Sequence, residues 1–183
     1  MRITAPLVAL LAAVCAVSAS ASVAVKDPMS LVFQRSDFPA NAHWKAARSP
    51  SVDKTLASAG FEATLADYSA EIPHGSTDTL YVSGRVIVLA NATQARRLFA
   101  QYKNDLALTM KVARIVQLPA YGDEQSAFTQ AQPGTRADLR VRKGAIVWRV
   151  EVKWGGVEKL TPAQALTELK TYAAKLKQRI GSG

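Results

Sequence analysis

The sequence has one cysteine among its 183 residues, and that residue, Cys15, lies near the N-terminus. Residues 1–21 have the three parts of a secretory signal: a basic start, an apolar run and a small-x-small end at Ala19-Ser20-Ala21. We predict cleavage after Ala21, which leaves 162 residues (183 − 21). The exported chain would then have no disulfide, no thiol nucleophile and no cysteine metal ligand.

A long apolar segment is also missing. The run from residue 7 to residue 17 is shorter than the roughly 20 apolar residues that a membrane span needs, so we expect no transmembrane segment after cleavage. A lipoprotein is the other alternative, but the bulky Val14 before Cys15 does not suit a lipoprotein cleavage site. We therefore expect a secreted or extracytoplasmic protein with a single domain over residues 22–183.

Residues that usually carry catalysis are scarce. The two histidines, His43 and His74, are expected in different loops and are not spaced as zinc ligands. The glycine patterns of Rossmann and P-loop nucleotide sites do not occur, and neither does the G-x-S-x-G nucleophile motif. We predict a protein that is not an enzyme and has no catalytic residue, metal or cofactor. The alternative is a hydrolase that uses one of the two histidines as its base.

Two segments have the periodicity of amphipathic helices. The first is expected to begin after Asn91 as its N-cap, with Gln94 completing a capping box. Its apolar face is predicted to comprise Ala95, Leu98, Phe99, Tyr102, Leu106 and Met110.

The second helix is expected to be C-terminal. Thr161 is its predicted N-cap, Pro162 occupies the first helical position, Gln164 closes a capping box and Gly181 ends the helix. Three cations in its last turns, Lys175, Lys177 and Arg179, are expected to oppose the helix dipole. The buried stripe is predicted to be Ala165, Leu169, Tyr172, Ala173, Leu176 and Ile180.

The remaining regular segments alternate apolar and polar residues and are predicted to be strands. We expect them at 60–72, 79–90, 112–119, 124–131 and, as a hairpin, 136–154. A short helix is expected at 50–59, and residues 30–44 are expected to be irregular or partly extended. Short strand-to-strand connections indicate hairpins, so we predict an α+β fold: a mainly antiparallel sheet with an internal and a C-terminal helix packed on it.

The last hairpin has the most regular alternation in the chain. Lys143-Gly144 is predicted to be its two-residue turn, because glycine supplies the positive φ that such turns need. This register sends Trp148 and Trp154 to the core face.

The opposite face of the hairpin is charged. The predicted register places Arg136 opposite Glu151 and Asp138 opposite Arg149, and such pairs contribute about 0.2–1 kcal/mol each. Four cations are left without a predicted partner and are candidate anion-binding residues: Arg140, Arg142, Lys143 and Lys153.

The positive charge is concentrated in the same region. Residues 136–183 have 11 Lys+Arg against 4 Asp+Glu, whereas residues 22–135 have 11 against 10. Basic clusters attract polyanions, so an anionic envelope polymer, a lipid headgroup or another exported protein is a candidate partner. A solvated face that binds nothing is the competing interpretation. Nucleic acid is not expected, since stacking aromatics are not predicted on the exposed face.

Two loops are further candidate sites. Asp123 and Glu124 are adjacent carboxylates, which do not give the facing pair that glycosidases need, and a turn entering a strand is the favoured interpretation of them. Trp44, beside His43, is expected either to cover the core or to offer a surface for ligand stacking.

Three stretches together carry a resemblance: SDFPANAHW at 36–44, AYGDEQSAF at 120–128 and VRKGAIVWRVEV at 141–152. They resemble small exported bacterial proteins of uncharacterised function, and the layout is similar to PsbP-like or mycobacterial kinase-sensor extracytoplasmic α+β domains. The resemblance implies an antiparallel sheet flanked by helices and an accessory, ligand-sensing or scaffold role without catalysis. The kinase-sensor domains use disulfides, which the exported chain would lack.

Two functions follow as hypotheses beside the hydrolase. The first is an exported binding, sensing or accessory module of the bacterial cell envelope, with a pocket under the 91–110 helix or under residues 36–44. The second is peripheral attachment to a polyanion or a membrane surface through the basic hairpin, which would be sensitive to salt.

Overall fold

A computed structural model describes residues 26–109, 113–131, 135–156 and 160–181. The predicted signal sequence and its cleavage site lie outside the described residues. The helices are α1 (Pro28–Leu31), α2 (Pro50–Ser58), α3 (Ala92–Thr109) and α4 (Pro162–Gly181), and a short 3-10 helix spans Arg35–Asp37. Within the described ranges, no helix has the length and apolarity needed to cross a membrane.

Seven strands form one sheet in which every neighbouring pair is antiparallel. The strands are β1 (His43–Arg48), β2 (Ala63–His74), β3 (Asp78–Leu89), β4 (Ala113–Ile115), β5 (Glu124–Gln130), β6 (Arg136–Lys143) and β7 (Ile146–Gly155). Their order across the sheet is β1-β2-β3-β7-β6-β5-β4. The predicted α+β fold with a mainly antiparallel sheet is confirmed.

The N-terminal region corrects one prediction. Residues 43–48 are an edge strand rather than irregular chain or loop, because β1 pairs along its length with β2. The segment HWKAAR has no β-branched residue, so its strand conformation depends on this pairing more than on local preference. The short helix expected at 50–59 is confirmed as α2.

The helix caps follow the sequence with one difference. At α4 the capping box is complete, since Gln164 N donates to Thr161 Oγ1 at 3.2 Å and Thr161 N donates to Gln164 Oε1 at 2.9 Å. At α3, Gln94 N donates to Asn91 Oδ1 at 2.9 Å. The Gln94 side chain, however, accepts from Glu62 N at 2.8 Å, so it joins α3 to the chain before β2.

The two faces of the sheet carry two separate apolar clusters. The larger lies under α1 and α4 and includes the whole predicted stripe of α4. The smaller lies under α2 and α3 and includes Ala95, Leu98 and Phe99, with Tyr102 partly buried beside it. The predicted side chains at 106 and 110 lie outside the described part of α3.

The last hairpin turns one residue later than predicted. Its two-residue loop is Gly144-Ala145, because Lys143 pairs with Ile146, and Gly144 adopts a φ of 57°. The register of the hairpin therefore differs from the predicted one by two residues. A shift of two residues preserves which side chains share a face, so the core face is as expected, with Trp148 1% exposed.

The cross-strand neighbours of the charged residues change with that shift. Asp138 lies opposite Glu151, not Arg149, and Arg136 lies opposite Lys153. The predicted ion pairs nevertheless form along the diagonals: Arg136 Nη1 lies 3.5 Å from Glu151 Oε1, and Arg149 Nε donates to Asp138 Oδ2 at 2.6 Å.

A close approach in the middle of the sheet requires a glycine. Tyr68 extends across Gly84 and donates from its hydroxyl to the carbonyl oxygen of Arg149. A Cβ at Gly84 would overlap both that oxygen and the tyrosine hydroxyl. Burial raises the pKa of Tyr68 well above its ordinary value, and the charge of Arg149 opposes that rise. The hydroxyl therefore stays protonated and holds β2 to β7.

Candidate functional site

Three arginines on the face covered by α3 form one row across the sheet. Arg85 on β3 lies directly opposite Arg149 on β7, and Arg149 lies directly opposite Arg140 on β6. We call these three residues the arginine row. Neighbouring strands are about 4.8 Å apart, and like charges directly opposite each other are unfavourable. The row therefore needs either carboxylates or a bound anion to compensate its charge.

Three carboxylates supply part of that compensation. Arg149 binds both Asp138 and Glu151, of which Asp138 is fully buried. At one end of the row, Arg85 Nε lies 3.1 Å from Asp67 Oδ1. These contacts account for the first two guanidinium groups of the row.

The third guanidinium is held less completely. Arg140 Nη1 donates to the carbonyl oxygen of Tyr102 at 3.0 Å, and Arg140 Nε lies 3.4 Å from Asp138 Oδ1. That Nε is buried and makes no hydrogen bond to any described residue. Arg140 is thus the member of the row with unused donor capacity.

Charges in this region leave a cationic excess. Arg136, the first residue of β6, adds a fourth guanidinium beside the row. Against the carboxylates of Asp67, Asp138 and Glu151, the net charge of this group is +1 (4 − 3). Burial acts to lower the pKa of Arg149, but the charge of Asp138 and its hydrogen bond outweigh burial and raise that pKa. The guanidinium of Arg149 therefore keeps its charge at neutral pH.

A cleft of about 220 Å³ opens directly over the arginine row. We call it the row cleft. Its other lining residues are Tyr102 from α3 and Ile87, Val147 and Trp148 from the sheet. Three guanidinium groups beside an aromatic ring can bind a carboxylate, sulfate or phosphate group by charge-assisted hydrogen bonds.

The predicted loop site and one predicted anion-binding residue bind each other. Arg142 Nη1 donates to Asp123 Oδ2 at 2.9 Å, and Arg142 Nε donates to Glu124 Oε1 at 2.8 Å. The Arg142 side chain is 6% exposed. The expectation that Arg142 lacks a partner is therefore wrong, because the β5–β6 pairing places Glu124 directly opposite it.

These contacts also explain the acidity of the two carboxyls. The backbone N–H of Gly144 donates to Asp123 and lowers its pKa, and Arg142 lowers it further. The side-chain hydrogen bond from Arg142 lowers the pKa of Glu124, assisted by Lys103. Asp123 therefore joins the β5 entrance to the β6–β7 turn, which is a structural role.

The four cations predicted to bind anions do not form one surface. Arg140 belongs to the arginine row, contrary to the expectation that it lacks a partner, and Arg142 is buried in its carboxylate pair. Lys143, at the hairpin turn, lies beside Gly181 at the end of α4. Lys153 is exposed at the other end of β7, opposite Arg136. Arg140, Arg142 and Lys153 share one face of the hairpin by strand alternation, but Arg142 is enclosed by its carboxylates, and anion binding by these residues stays a prediction.

The remaining predicted sites are separate from the row. His43 begins β1, and His74 ends β2 with its ring centroid 5.1 Å from that of Trp154. No hydrogen bond among the described residues joins either imidazole to a serine or threonine hydroxyl. Trp44 packs on the larger apolar cluster, as expected of a residue that covers the core. The described residues hold no cluster of three potential metal ligands.

The C-terminal cations of α4 serve as tethers. Arg179 Nε donates to Asp37 Oδ2 at 2.8 Å, and Lys175 donates to the carbonyl oxygen of the same residue. Lys177 Nζ donates to the carbonyl oxygen of Ala120 at 2.9 Å. Part of the positive charge at the C-terminus is thus used to fix α4 to the N-terminal segment and to the loop before β5.

Sequence reasoning missed Arg85 and Tyr102 as members of a site. Arg85 is the single charged residue within the alternating segment TLYVSGRVIVL. That isolated charge in a strand is a usable signal. Its partners are not visible in the sequence, because β3 pairs with β7, some sixty residues away along the chain.

No family model and no curated protein sequence matches this chain. Among solved structures, the chain is similar to the extracellular domain of PknH from Mycobacterium tuberculosis, with a TM-score of 0.50. Sequence identity is 14%, and the likeness covers 86% of this chain and 98% of that domain. At this identity the likeness concerns the fold alone and assigns no site residue. The predicted resemblance to PsbP-like domains stays a prediction.

Proposed function

We propose that this protein is an exported, non-enzymatic binding or sensing module that takes a small anionic group in the row cleft. The observation that carries the proposal is the arginine row itself. Three like charges in direct cross-strand succession are unfavourable for the sheet alone, yet they line a cleft beside an aromatic ring. A bound anion would relieve that repulsion.

The incomplete compensation of the row supports the same interpretation. Asp138 lies within ion-pair distance of both Arg140 and Arg149, and the buried Nε of Arg140 makes no hydrogen bond to a described residue. A ligand oxygen bound by the Arg140 guanidinium would add to the compensation that Asp138 shares between two arginines. The wall formed by Tyr102 and Ile87 would accept an apolar or planar body attached to the anionic group.

Two further observations support an extracytoplasmic role. The sequence begins with the three parts of a secretory signal. The fold is similar to a domain described as extracellular, that of PknH. Together with the signal, this likeness favours a module that binds its ligand outside the cytoplasm.

Thermal unfolding with inorganic phosphate tests the proposal. A ligand that binds only the folded state raises the unfolding midpoint. With phosphate about tenfold above its Kd, the midpoint should rise by about 3 °C or more beyond the rise in sodium chloride of equal ionic strength. Sulfate and a phosphate monoester in parallel would show which anionic group is preferred.

Variants locate the effect. Arg85→Gln and Arg140→Gln should each reduce the phosphate-specific rise, since each removes one guanidinium from the cleft. Lys45→Gln is the matched control, because Lys45 is exposed on β1, two strands away from β3. Equal midpoints in phosphate and chloride, or a rise that both arginine variants retain, would show that the row is only a structural ion-pair network.

A further inference from the structure

A second cleft lies on the opposite face of the sheet, where the N-terminal half of α4 crosses the end of the β2–β3 hairpin. Its volume is about 220 Å³. We call it the indole cleft. It is lined by His74, Leu80, Trp154 and Leu160 and, from α4, by Gln164, Thr167 and Glu168. The described residues that line it include no lysine or arginine, which distinguishes it from the row cleft.

Glu168 is the unusual residue of this cleft. It is half-buried, and no hydrogen bond or ion pair joins its carboxylate to another described residue. Seven other carboxylates in the described ranges form ion pairs: Asp27, Asp37, Asp67, Asp123, Glu124, Asp138 and Glu151. In a chain with a net charge of +9, a half-buried carboxylate that forms no ion pair with any described cation can accept an external one.

The neighbouring tyrosine indicates where that carboxylate lies. Tyr172 follows Glu168 by one helical turn and is buried in the larger apolar cluster. Burial raises the pKa of Tyr172 to about 12, and the negative charge of Glu168 contributes to the rise. The carboxylate is therefore close to the core side of α4, at the wall of the indole cleft.

The remaining walls combine the apolar Leu80 and Leu160 and the Trp154 ring with three polar side chains, those of His74, Gln164 and Thr167. Leu80 is 1% exposed and forms part of the apolar floor, and the Trp154 ring packs beside it on the same cluster. A dry cavity of about 150 Å³ can hold a ligand as large as benzene. The indole cleft thus has room for an organic group of similar or slightly larger size.

We propose that the indole cleft binds a small organic cation, namely an alkylated ammonium group, with Glu168 as its counter-ion and Trp154 as its aromatic wall. Indole rings attract quaternary ammonium groups through the negative face of the ring. Leu80 and Leu160 would contact the alkyl groups. This proposal is independent of anion binding, since the two clefts lie on opposite faces of the sheet.

Choline and its uncharged isostere 3,3-dimethylbutan-1-ol form the test. The full-length chain is titrated with each, and the indole N–H signal of Trp154, assigned with Trp154→Phe, is followed by NMR. Choline should move that signal saturably and bind at least about tenfold more tightly than the isostere. Equal affinity for the two compounds, or no saturable shift with choline, would overturn the proposal without depending on any variant.

The counter-ion is tested by Glu168→Gln, which keeps the shape of the side chain. It should weaken choline binding by at least about tenfold and leave the isostere unaffected. Glu71→Gln, at an exposed carboxylate on β2, is the control and should bind choline normally. Unchanged choline affinity in Glu168→Gln would contradict the assignment.

The ammonium group could belong to a free solute or to a lipid headgroup, and cosedimentation distinguishes the two sources. Retention on phosphatidylcholine vesicles that Glu168→Gln abolishes would identify the headgroup. Binding of free choline without retention on the vesicles would identify a soluble ligand. Failure with both choline and the vesicles would refute the cleft as a cation site, whatever the result with phosphate at the arginine row.

Discussion

The two faces of this sheet are built from alternate residues of the same strands, yet they differ in chemistry. The face under α4 is apolar and aromatic. The centroid of the Phe33 ring lies within 5.9 Å of the ring centroids of Phe38, Tyr68 and Tyr172. The face under α3 has a small apolar cluster at one end and a network of ion pairs, which includes the arginine row, over the rest. The period of two in a strand allows both faces to be specified independently.

The chemical difference between the two faces suggests that one face mainly stabilises the fold and the other mainly binds a ligand. Burial of apolar area is the dominant favourable term in folding, and most of the buried apolar residues belong to the cluster under α1 and α4. Ion pairs in a half-buried network give little net stability, since desolvation offsets their attraction. We infer that the α4 face carries the free energy of folding and that the α3 face is free to be arranged for a ligand. Substitutions on each face can test that division.

The largest effect is expected at the aromatic cluster. Phe33 is fully buried, so Phe33→Ala should reduce the free energy of unfolding by about 3–5 kcal/mol. Chemical denaturation measures this loss, with Phe33→Leu as the more conservative control. A loss under about 1 kcal/mol would mean that the N-terminal segment is not part of the stabilising core.

Two substitutions within the ion-pair network should reduce the free energy of unfolding by smaller and unequal amounts. Asp138→Asn should cost about 3 kcal/mol, because it leaves Arg149 and Arg140 facing each other without their shared carboxylate. Arg140→Met should cost less than about 1 kcal/mol, since it also removes a like-charge repulsion. The same denaturation experiment compares the two.

The order of these two losses is the informative result. If Arg140→Met is as damaging as Asp138→Asn, the arginine row is balanced without a ligand, and the contrast between the two faces of the sheet fails. If Arg140→Met is tolerated but abolishes the phosphate effect, the row serves binding more than folding.

The hairpin illustrates how much of the fold the sequence determines. Alternation alone assigns Trp148 and Trp154 to the core, and that assignment survives an error of two residues in the register. The face on which a side chain lies depends on whether the register shift is odd or even. The identity of its cross-strand neighbour depends on the exact number of residues by which the register shifts. The turn differs from the predicted one because Gly144, with its positive φ, begins the loop instead of ending it.

The candidate site is less predictable for a physical reason. Arg140 can be selected from sequence, but its row requires β3 beside β7, a pairing between segments that are distant in the chain. Local patterns do not encode that order. Likewise, the partners of Arg142 become visible only when β5 lies beside β6 in the register that brings Glu124 opposite it. The alternation within each strand specifies neither the neighbour nor the register.

The smallest expected effect concerns pH and the Asp123 contact. Hydrogen bonds from Gly144 and Arg142 hold the pKa of Asp123 below its unfolded value of about 3.9, so its stabilising effect is complete above that pH and is lost as pH falls through the folded-state pKa. Because Asp123 is half exposed, Asp123→Asn should cost less than about 1 kcal/mol at neutral pH. The variant should also lose less stability than the wild type between neutral and strongly acidic pH. Identical pH profiles for the two proteins would show that the carboxylate does not tie β5 to the hairpin turn, and that Arg142 is held by Glu124 alone.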